Sequence, residues 1–278
     1  ACANNLKNID LGIKAGIFTV ISGVSGSGKT SLLEKVIFES LQSKRPVFCK
    51  DFSGSEKFSE VIYIEQAVAG KDSGSTTGSR LGISDSIAKL FALSGESKKR
   101  NFRTSHFVKG SKESRCPVCE GTGQNEVSMD FFNDIVSPCE RCGGTGFRDE
   151  ILEVKINSLN IFDALQLQFE DLPAFVNSLP DAKTDKRWLN IISLLLKTGL
   201  GHLSCGRALN TLSTGELQRL KLVAGLSAGT GDNKLILLDE PTGGLHHEDV
   251  VSLLKLFDEI IGEGNTIACV THEPLLFR

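Results

Sequence analysis

Three short stretches of this 278-residue chain place residue types at spacings that can do chemistry on a nucleotide. Gly23-Val24-Ser25-Gly26-Ser27-Gly28-Lys29-Thr30 is a complete G-x-x-x-x-G-K-T loop, followed by Ser31. In such a loop backbone N–H groups curl around phosphate oxygens, the lysine reaches the β- and γ-phosphates, and the threonine hydroxyl serves Mg²⁺. Gly23, Ser25, Gly26, Ser27, Gly28, Lys29, Thr30 and Ser31 are therefore the expected nucleotide ligands. Further on, Leu235-Ile236-Leu237-Leu238 runs into Asp239-Glu240. An apolar strand ending in two carboxylates puts them where ligands gather in open α/β sheets. Asp239 can hold Mg²⁺ through water, and Glu240 can orient or deprotonate the attacking water. The third stretch is Leu212-Ser213-Thr214-Gly215-Glu216-Leu217-Gln218-Arg219, whose S-x-x-E spacing is a capping box. It opens a second helix N-terminus able to meet a phosphate, with Ser213 and Gly215 as its contacts. Leu93-Ser94-Gly95-Glu96 has a similar look but one fewer residue before the acid.

A separate chemistry sits between these stretches. Cys116, Cys119, Cys139 and Cys142 form two C-x-x-C pairs separated by nineteen residues. That arrangement reads as a closed, structural Cys₄ zinc site, with a redox dithiol as the alternative. Each pair continues into C-x-G-x-G, and the glycines let the backbone fold over the metal and donate N–H groups to thiolate sulfur. Cys269 lies in an apolar run and reads as a small buried hydrophobe.

The elements that must position these groups follow from apolar periodicity. Phe18–Ile21 and Val61–Ile64 read as strands, and a helix after Gly28 carries Leu32, Leu33, Val36, Ile37 and Leu41 on one stripe. Gly70–Ser79 reads as a loop, Ser84 as a helix cap, and Thr184 as the cap of a helix ended by Gly199. A helix from Ser213, strand Leu235–Leu238, a helix bearing Val250 to Ile261, and strand Ile267–Val270 complete the series. This alternation implies an α/β core with a largely parallel sheet. From Lys98 to Arg148 the chain turns basic, then Gly/Cys-rich, with little apolar periodicity, and reads as an insertion.

Composition narrows the partners. A net charge of −3 is too acidic for a wholesale nucleic-acid coat, so any such contact is local. No stretch approaches the roughly 18 apolar residues of a membrane span, and no basic-then-apolar leader opens the chain. The scattered cysteines fit a reducing cytoplasm rather than a secreted disulfide framework. Lys98–Arg115 holds seven basic residues, among them Lys98, Lys99, Arg100, Arg103 and Lys109, against one acid, a local net of +6. This is either a solvated basic loop or a contact for nucleic-acid phosphates.

With these motifs in order, the chain resembles the ATP-binding cassette (ABC) family, its Walker A, signature and Walker B motifs lying at 23–30, 212–219 and 235–240. The resemblance implies an ABC-type P-loop ATPase core with an inserted helical signature region and a Cys₄ zinc module. It further implies ATP as ligand, Gln66 as the Q-loop residue, 243–246 as the D-loop and His272 as the switch histidine. Gln66, Glu240 and His272 are then the expected catalytic residues. Zinc knuckles between Q-loop and signature resemble the UvrA family, the damage-sensing ATPases of bacterial nucleotide excision repair, and specifically their C-terminal cassette. Further likeness runs through Asn4–Leu11, Val108-Lys109-Gly110, Thr198–Leu203 and Leu238–His246. The division implied is 1–84 as the first part of the core, 85–205 as the insertion with a zinc module at 111–148, and 206–278 as the second part. Implied partners are DNA through its backbone, a second ABC half in cis or a homodimer partner, and a UvrB-like repair protein. Thr214 stands in place of the family's first signature glycine, and Thr271 in place of its glutamate before the switch histidine. These departures raise a second reading, a drug-resistance or accessory paralogue. A transporter's nucleotide-binding subunit is the third, and a zinc insertion has no role there.

Overall fold

The structure is a computed structural model describing residues 1, 3–66, 75–129, 132–177, 186–228 and 233–277. Six strands lie among the described residues: β1 (Phe18–Ile21), β2 (Glu60–Ile64), β3 (Gln124–Met129), β4 (Phe132–Pro138), β5 (Lys234–Asp239) and β6 (Thr266–Val270). By contact the chain divides into two compact units.

The first unit comprises Ala1–Ser73, Asn190–Leu200 and Asn210–Arg278. It is built on a four-stranded sheet in the order β1-β6-β5-β2, every pairing parallel. The central strands β5 and β6 are almost wholly buried, which explains their unbroken apolar runs. Side-chain alternation then assigns faces. Leu235 and Leu237 pack with Leu33 and Ile37 of the helical run that follows Gly28. Ile236 and Leu238 pack with Leu253, Leu254 and Phe257 of the helix His247–Gly262. Asp239 shares the parity of Leu235 and Leu237, so its carboxylate faces the phosphate-loop helix. That helix runs from Lys29 to Ser43, and its middle, Leu32–Phe38, is wound as a π-helix, a form frequent at functional sites. Leu237→Ala would empty space from both a strand and a helix contact and is expected to cost about 2–5 kcal/mol of stability, read from a denaturant melt.

The second unit comprises Gly74–Leu189 and Gly201–Leu209. Short helices surround a core that includes Phe91, Phe107, Phe147 and Phe169, all fully buried. The basic segment is held here rather than loose. Ser94 caps a helix Gly95–Lys99, and Phe102 packs edge-on to Phe107 and stacks on His106. Phe107 in turn meets Phe91, at 5.6 Å between ring centres.

Several sequence expectations are corrected. Within the expected loop Gly70–Ser79, residues 70–74 lie outside the described residues, and Thr77–Leu81 is a helix with a Thr76/Ser79 capping box. Gly82, in the left-handed conformation, precedes the helix Ile83–Leu93, so Ser84 lies inside it, not at its cap. Thr184 lies outside the described residues, while Gly199 ends the helix Lys186–Lys197 with a φ of 70°, as expected. The stretch between the cysteine pairs is an antiparallel hairpin, β3–β4. Its residues Val127, Phe132, Ile135 and Val136 are β-branched or aromatic, the types that favour strands.

Candidate nucleotide site and metal centre

Because all four strands run parallel, their carboxyl ends share one edge of the sheet. The phosphate loop follows β1, Gln66 follows β2, Asp239-Glu240 closes β5, and His272 follows β6. Gly26 and Gly28 adopt φ of 78° and 92°, the left-handed turns that bend the loop around an anion. Asn5 Nδ2 donates to the Gly26 carbonyl and Asn4 Nδ2 to Ser31 Oγ, so the chain's first turn buttresses the loop. Lys29 Nζ donates to the Gly23 and Val24 carbonyls at 2.8 and 3.0 Å and lies over its own loop. Ser25 is exposed and Ser27 half-buried at the loop's crest.

Asp239 is 5% exposed. Burial pushes its carboxyl above the usual range, while the Thr30 hydroxyl and the Lys29 charge pull it back down. One oxygen, Oδ1, is buried with no hydrogen-bond partner. A buried carboxylate oxygen left bare beside a threonine hydroxyl is a donor set suited to a hard divalent cation.

Glu240 sits at φ 48°, a conformation that a residue with a β-carbon rarely adopts. Such backbone costs about 1–3 kcal/mol and clusters at functional sites. Its N–H donates to the Val270 carbonyl at 2.9 Å, which ties the turn to β6. His272 Nε2 lies 3.6 Å from Glu240 Oε1. Thr271 is fully buried, and its hydroxyl accepts from Glu273 N and lies 3.4 Å from that of Thr242. A hydroxyl thus fixes the turn carrying His272. Gln66 Nε2 lies 3.9 Å from the point where a β-carbon on Gly243 would stand, so it reaches the turn just after Glu240.

The expected capping box is present. Ser213 N donates to Glu216 Oε2 at 2.8 Å, and Glu216 N to Ser213 Oγ at 3.3 Å, opening the helix Thr214–Ala228. Gly215 touches the 243–246 turn, because a β-carbon there would lie 2.8 Å from the Gly244 carbonyl. Thr214 packs against Gly244 from the same helix turn. The contacts of Ser213 and Gly215 therefore run to Glu216 and to Gly244–Leu245, while Lys29, Thr30, Asp239, Glu240, Gln66 and His272 gather at the strand ends.

In the second unit the four sulfurs of Cys116, Cys119, Cys139 and Cys142 lie within 4.8 Å of one another, all buried and none in a disulfide. Cys119 and Cys142 Sγ are 3.7 Å apart. Tetrahedral zinc with bonds of about 2.3 Å separates its sulfurs by roughly 3.8 Å, so the cage fits that ion. The two knuckles are near copies of each other. Gly123 N donates to Cys119 Sγ and Gly146 N to Cys142 Sγ, and the Thr122 and Thr145 hydroxyls donate to the Cys119 and Cys142 carbonyls. They also interlock: Cys116 N donates to the Gly146 carbonyl and Cys139 N to the Gly123 carbonyl. A β-carbon on Gly123 would meet the Gly144 carbonyl, and one on Gly146 the Gly121 carbonyl, so only glycine fits either crossing. Burial raises the Cys119 thiol, but the N–H groups of Gly121 and Gly123 and the Cys142 and Cys116 thiols outweigh it and bring it down to about 6. The cage is therefore poised to hold metal as thiolate.

The basic segment is less free than its +6 suggests. Arg100 is held by both Glu96 and Glu153, and Lys99 lies 4.0 Å from Glu96. Lys98, Arg103 and Lys109 are exposed, and Lys109 lies beside Gly146 of the second knuckle. No described helix is long and apolar enough to cross a membrane.

No protein-family model matches the chain. It is 36% identical over 275 residues to UvrABC system protein A of Borreliella burgdorferi, covering 97% of this chain and 28% of that protein. The same-named protein of Clostridium tetani is 35% identical, with 97% of this chain and 29% of the relative covered. The chain thus spans under a third of the length of these curated relatives. Among solved structures, UvrA2 from Deinococcus radiodurans superposes with a TM-score of 0.84 at 30% identity, over 99% of this chain and 33% of that one. With its parallel sheet, phosphate loop and four-cysteine cluster, the chain belongs to the UvrA family.

Proposed function

We propose that the chain is the ATP-binding and ATP-hydrolysing module of a UvrA-type protein, coupling ATP state to recognition of damaged DNA in cytoplasmic nucleotide excision repair. The observation that carries this is the bare, buried Asp239 Oδ1 beside Thr30, at the sheet edge where Lys29, Gln66, Glu240 and His272 converge. Thr30 and Asp239 hold Mg²⁺, which when bound neutralises phosphate charge. Residues 23–31 wrap the phosphates, and Lys29 exchanges its loop carbonyls for phosphate oxygens. Glu240 accepts a proton from the attacking water, and His272, 3.6 Å away, steadies that carboxylate. Ser213 and Gly215 serve the nucleotide of a second cassette, in the same polypeptide or a homodimer partner, so the isolated chain turns over ATP slowly. Brisk phosphate release by a chain that light scattering shows to be a strict monomer would contradict that assignment. The working division is 1–84, 85–205 with its zinc module at 111–148, and 206–278. Thr214, which packs against Gly244 in place of the family's glycine, favours a divergent paralogue as the second reading.

The cation assignment has a direct test. Burial raises the Asp239 carboxyl above its ordinary range, so its ionised form opposes folding, and that opposition fades as pH falls through the raised folded value. Asp239→Asn is expected to melt higher than wild type wherever that carboxylate is ionised, in the absence of Mg²⁺, the gap closing in acid. It should also lose the rise in melting temperature that Mg²⁺ with ATP gives wild type. An unchanged Mg²⁺ response in Asp239→Asn would sink the assignment.

DNA contact through Lys98, Lys99, Arg103 and Lys109, and recruitment of a UvrB-like protein, extend the same reading. Each cation touching a phosphate adds about 0.9 to the slope of log affinity against log salt. Replacing Lys98, Arg103 and Lys109 by alanine should flatten that slope and weaken all duplex sequences alike, measured by fluorescence anisotropy. Arg100→Ala should instead act mainly on stability, because its guanidinium is committed to Glu96 and Glu153. Identical slopes for wild type and triple variant would return the arm to a solvated face.

A further inference from the structure

The helix Thr214–Ala228 carries two cations two residues apart, Arg219 and Lys221, each with a side chain only 13% exposed. Two steps along a helix turn the side chain by about 200°, so they leave on opposite flanks. Arg219 Nη1 reaches Asp249 Oδ2 at 2.9 Å, on the helix that follows the 243–246 turn. Lys221 Nζ reaches Glu65 Oε1 at 3.1 Å and the Gln66 carbonyl at 3.5 Å.

The Lys221 contact has a steric companion. Gly225, one turn further on the same face, lies so close to β2 that a β-carbon would meet Ile64 at 2.8 Å. The helix is thus seated against the end of β2 without slack, and Lys221 closes the contact at the point where β2 becomes Gln66. Glu65 is 72% exposed, and an exposed partner alone anchors weakly. The Lys221 stem is packed with its side chain 13% exposed, and the Gln66 carbonyl is the second acceptor within reach of its ammonium.

We propose that Lys221 is a positioning residue for the ATPase reaction: it pins the Glu65–Gln66 backbone to the signature helix and so sets Gln66 beside the Glu240–Gly243 turn. A shift of that helix would then move Gln66 relative to Glu240 without touching nucleotide. The proposal rests on the ATPase reading for its effect on turnover, though not for the contact itself.

The test uses the full 278-residue chain as wild type, Lys221→Met, Lys221→Arg, Gln66→Ala and the Lys221→Met/Gln66→Ala double variant. The side-chain amide resonance of Gln66, assigned by its loss in Gln66→Ala, is followed in ¹⁵N-labelled protein. It is expected to shift in Lys221→Met and to return in Lys221→Arg. Turnover at saturating ATP should fall about tenfold to a hundredfold in Lys221→Met, with calorimetric ATP affinity held. Arginine should restore most of it, and the double variant should be no slower than Gln66→Ala. An unmoved Gln66 resonance, or additive losses in the double variant, would overturn the proposal. A folded wild type that binds no ATP would instead defeat the ATPase reading, leaving the resonance to decide on Lys221.

Discussion

Lys29→Ala is expected to lower ATP affinity by about a hundredfold or more, whereas Glu240→Gln should keep the affinity and stop turnover. Lys29 is the sole cation of the phosphate loop, and its Nζ rests on two loop carbonyls 2.8 and 3.0 Å away. Exchanging those neutral acceptors for phosphate oxygens turns two charge-to-dipole bonds into ion pairs with the negatively charged phosphates. Alanine forfeits them and also frees the loop to relax. Glu240 makes no contact that holds the loop, so its amide leaves binding intact. An amide cannot take a proton from water, and loss of a general base costs about 10²–10⁴ in rate. Calorimetry separates the two variants, and equal affinity of wild type and Lys29→Ala would dismiss the phosphate-loop assignment.

Zinc should co-purify at one ion per chain, and Cys116→Ser should lose it and unfold the segment around residues 111–148. The apparent binding energy of a structural zinc, about 10–16 kcal/mol, matches or exceeds the whole stability of an ordinary domain. Among the described residues of the segment, the buried ones besides the four cysteines are Ser114, Phe147 and three glycines, Gly121, Gly123 and Gly146, packed backbone to backbone. The sheet lies in the other compact unit, so ATP binding should survive. Elemental analysis together with hydrogen exchange reads both halves of this expectation. A zinc-free chain with a protected 111–148 segment would refute it.

Legibility in the sequence followed the range of the interactions. The strand Leu235–Leu238 and its terminal carboxylates were readable because burial on both faces writes an unbroken apolar run. Ser213 and Glu216 were readable because a capping box closes over three residues. The cysteine cage followed from spacing alone. Non-local contacts left no such trace. That Arg100 belongs to Glu153 is a pairing over 53 residues, invisible to a local charge count, and so the basic arm looked freer than it is. Gly82 rather than Ser84 precedes its helix because a left-handed turn joins two helices there, a junction set by packing. The contact of Lys221 with Gln66 joins residues 155 apart in a register that only the folded sheet defines.

The interlocked knuckles have a consequence for the hairpin they enclose. Strands β3 and β4 leave and re-enter the cage at adjoining points: Gln124 pairs with Pro138, and Cys139 N bonds to the Gly123 carbonyl. Paired backbones lie about 5 Å apart, a gap that a two-residue turn closes. The hairpin is therefore an exchangeable cartridge plugged into a socket that keeps its own shape. A foreign loop grafted at the same two stubs is expected to leave the ion's cradle in place.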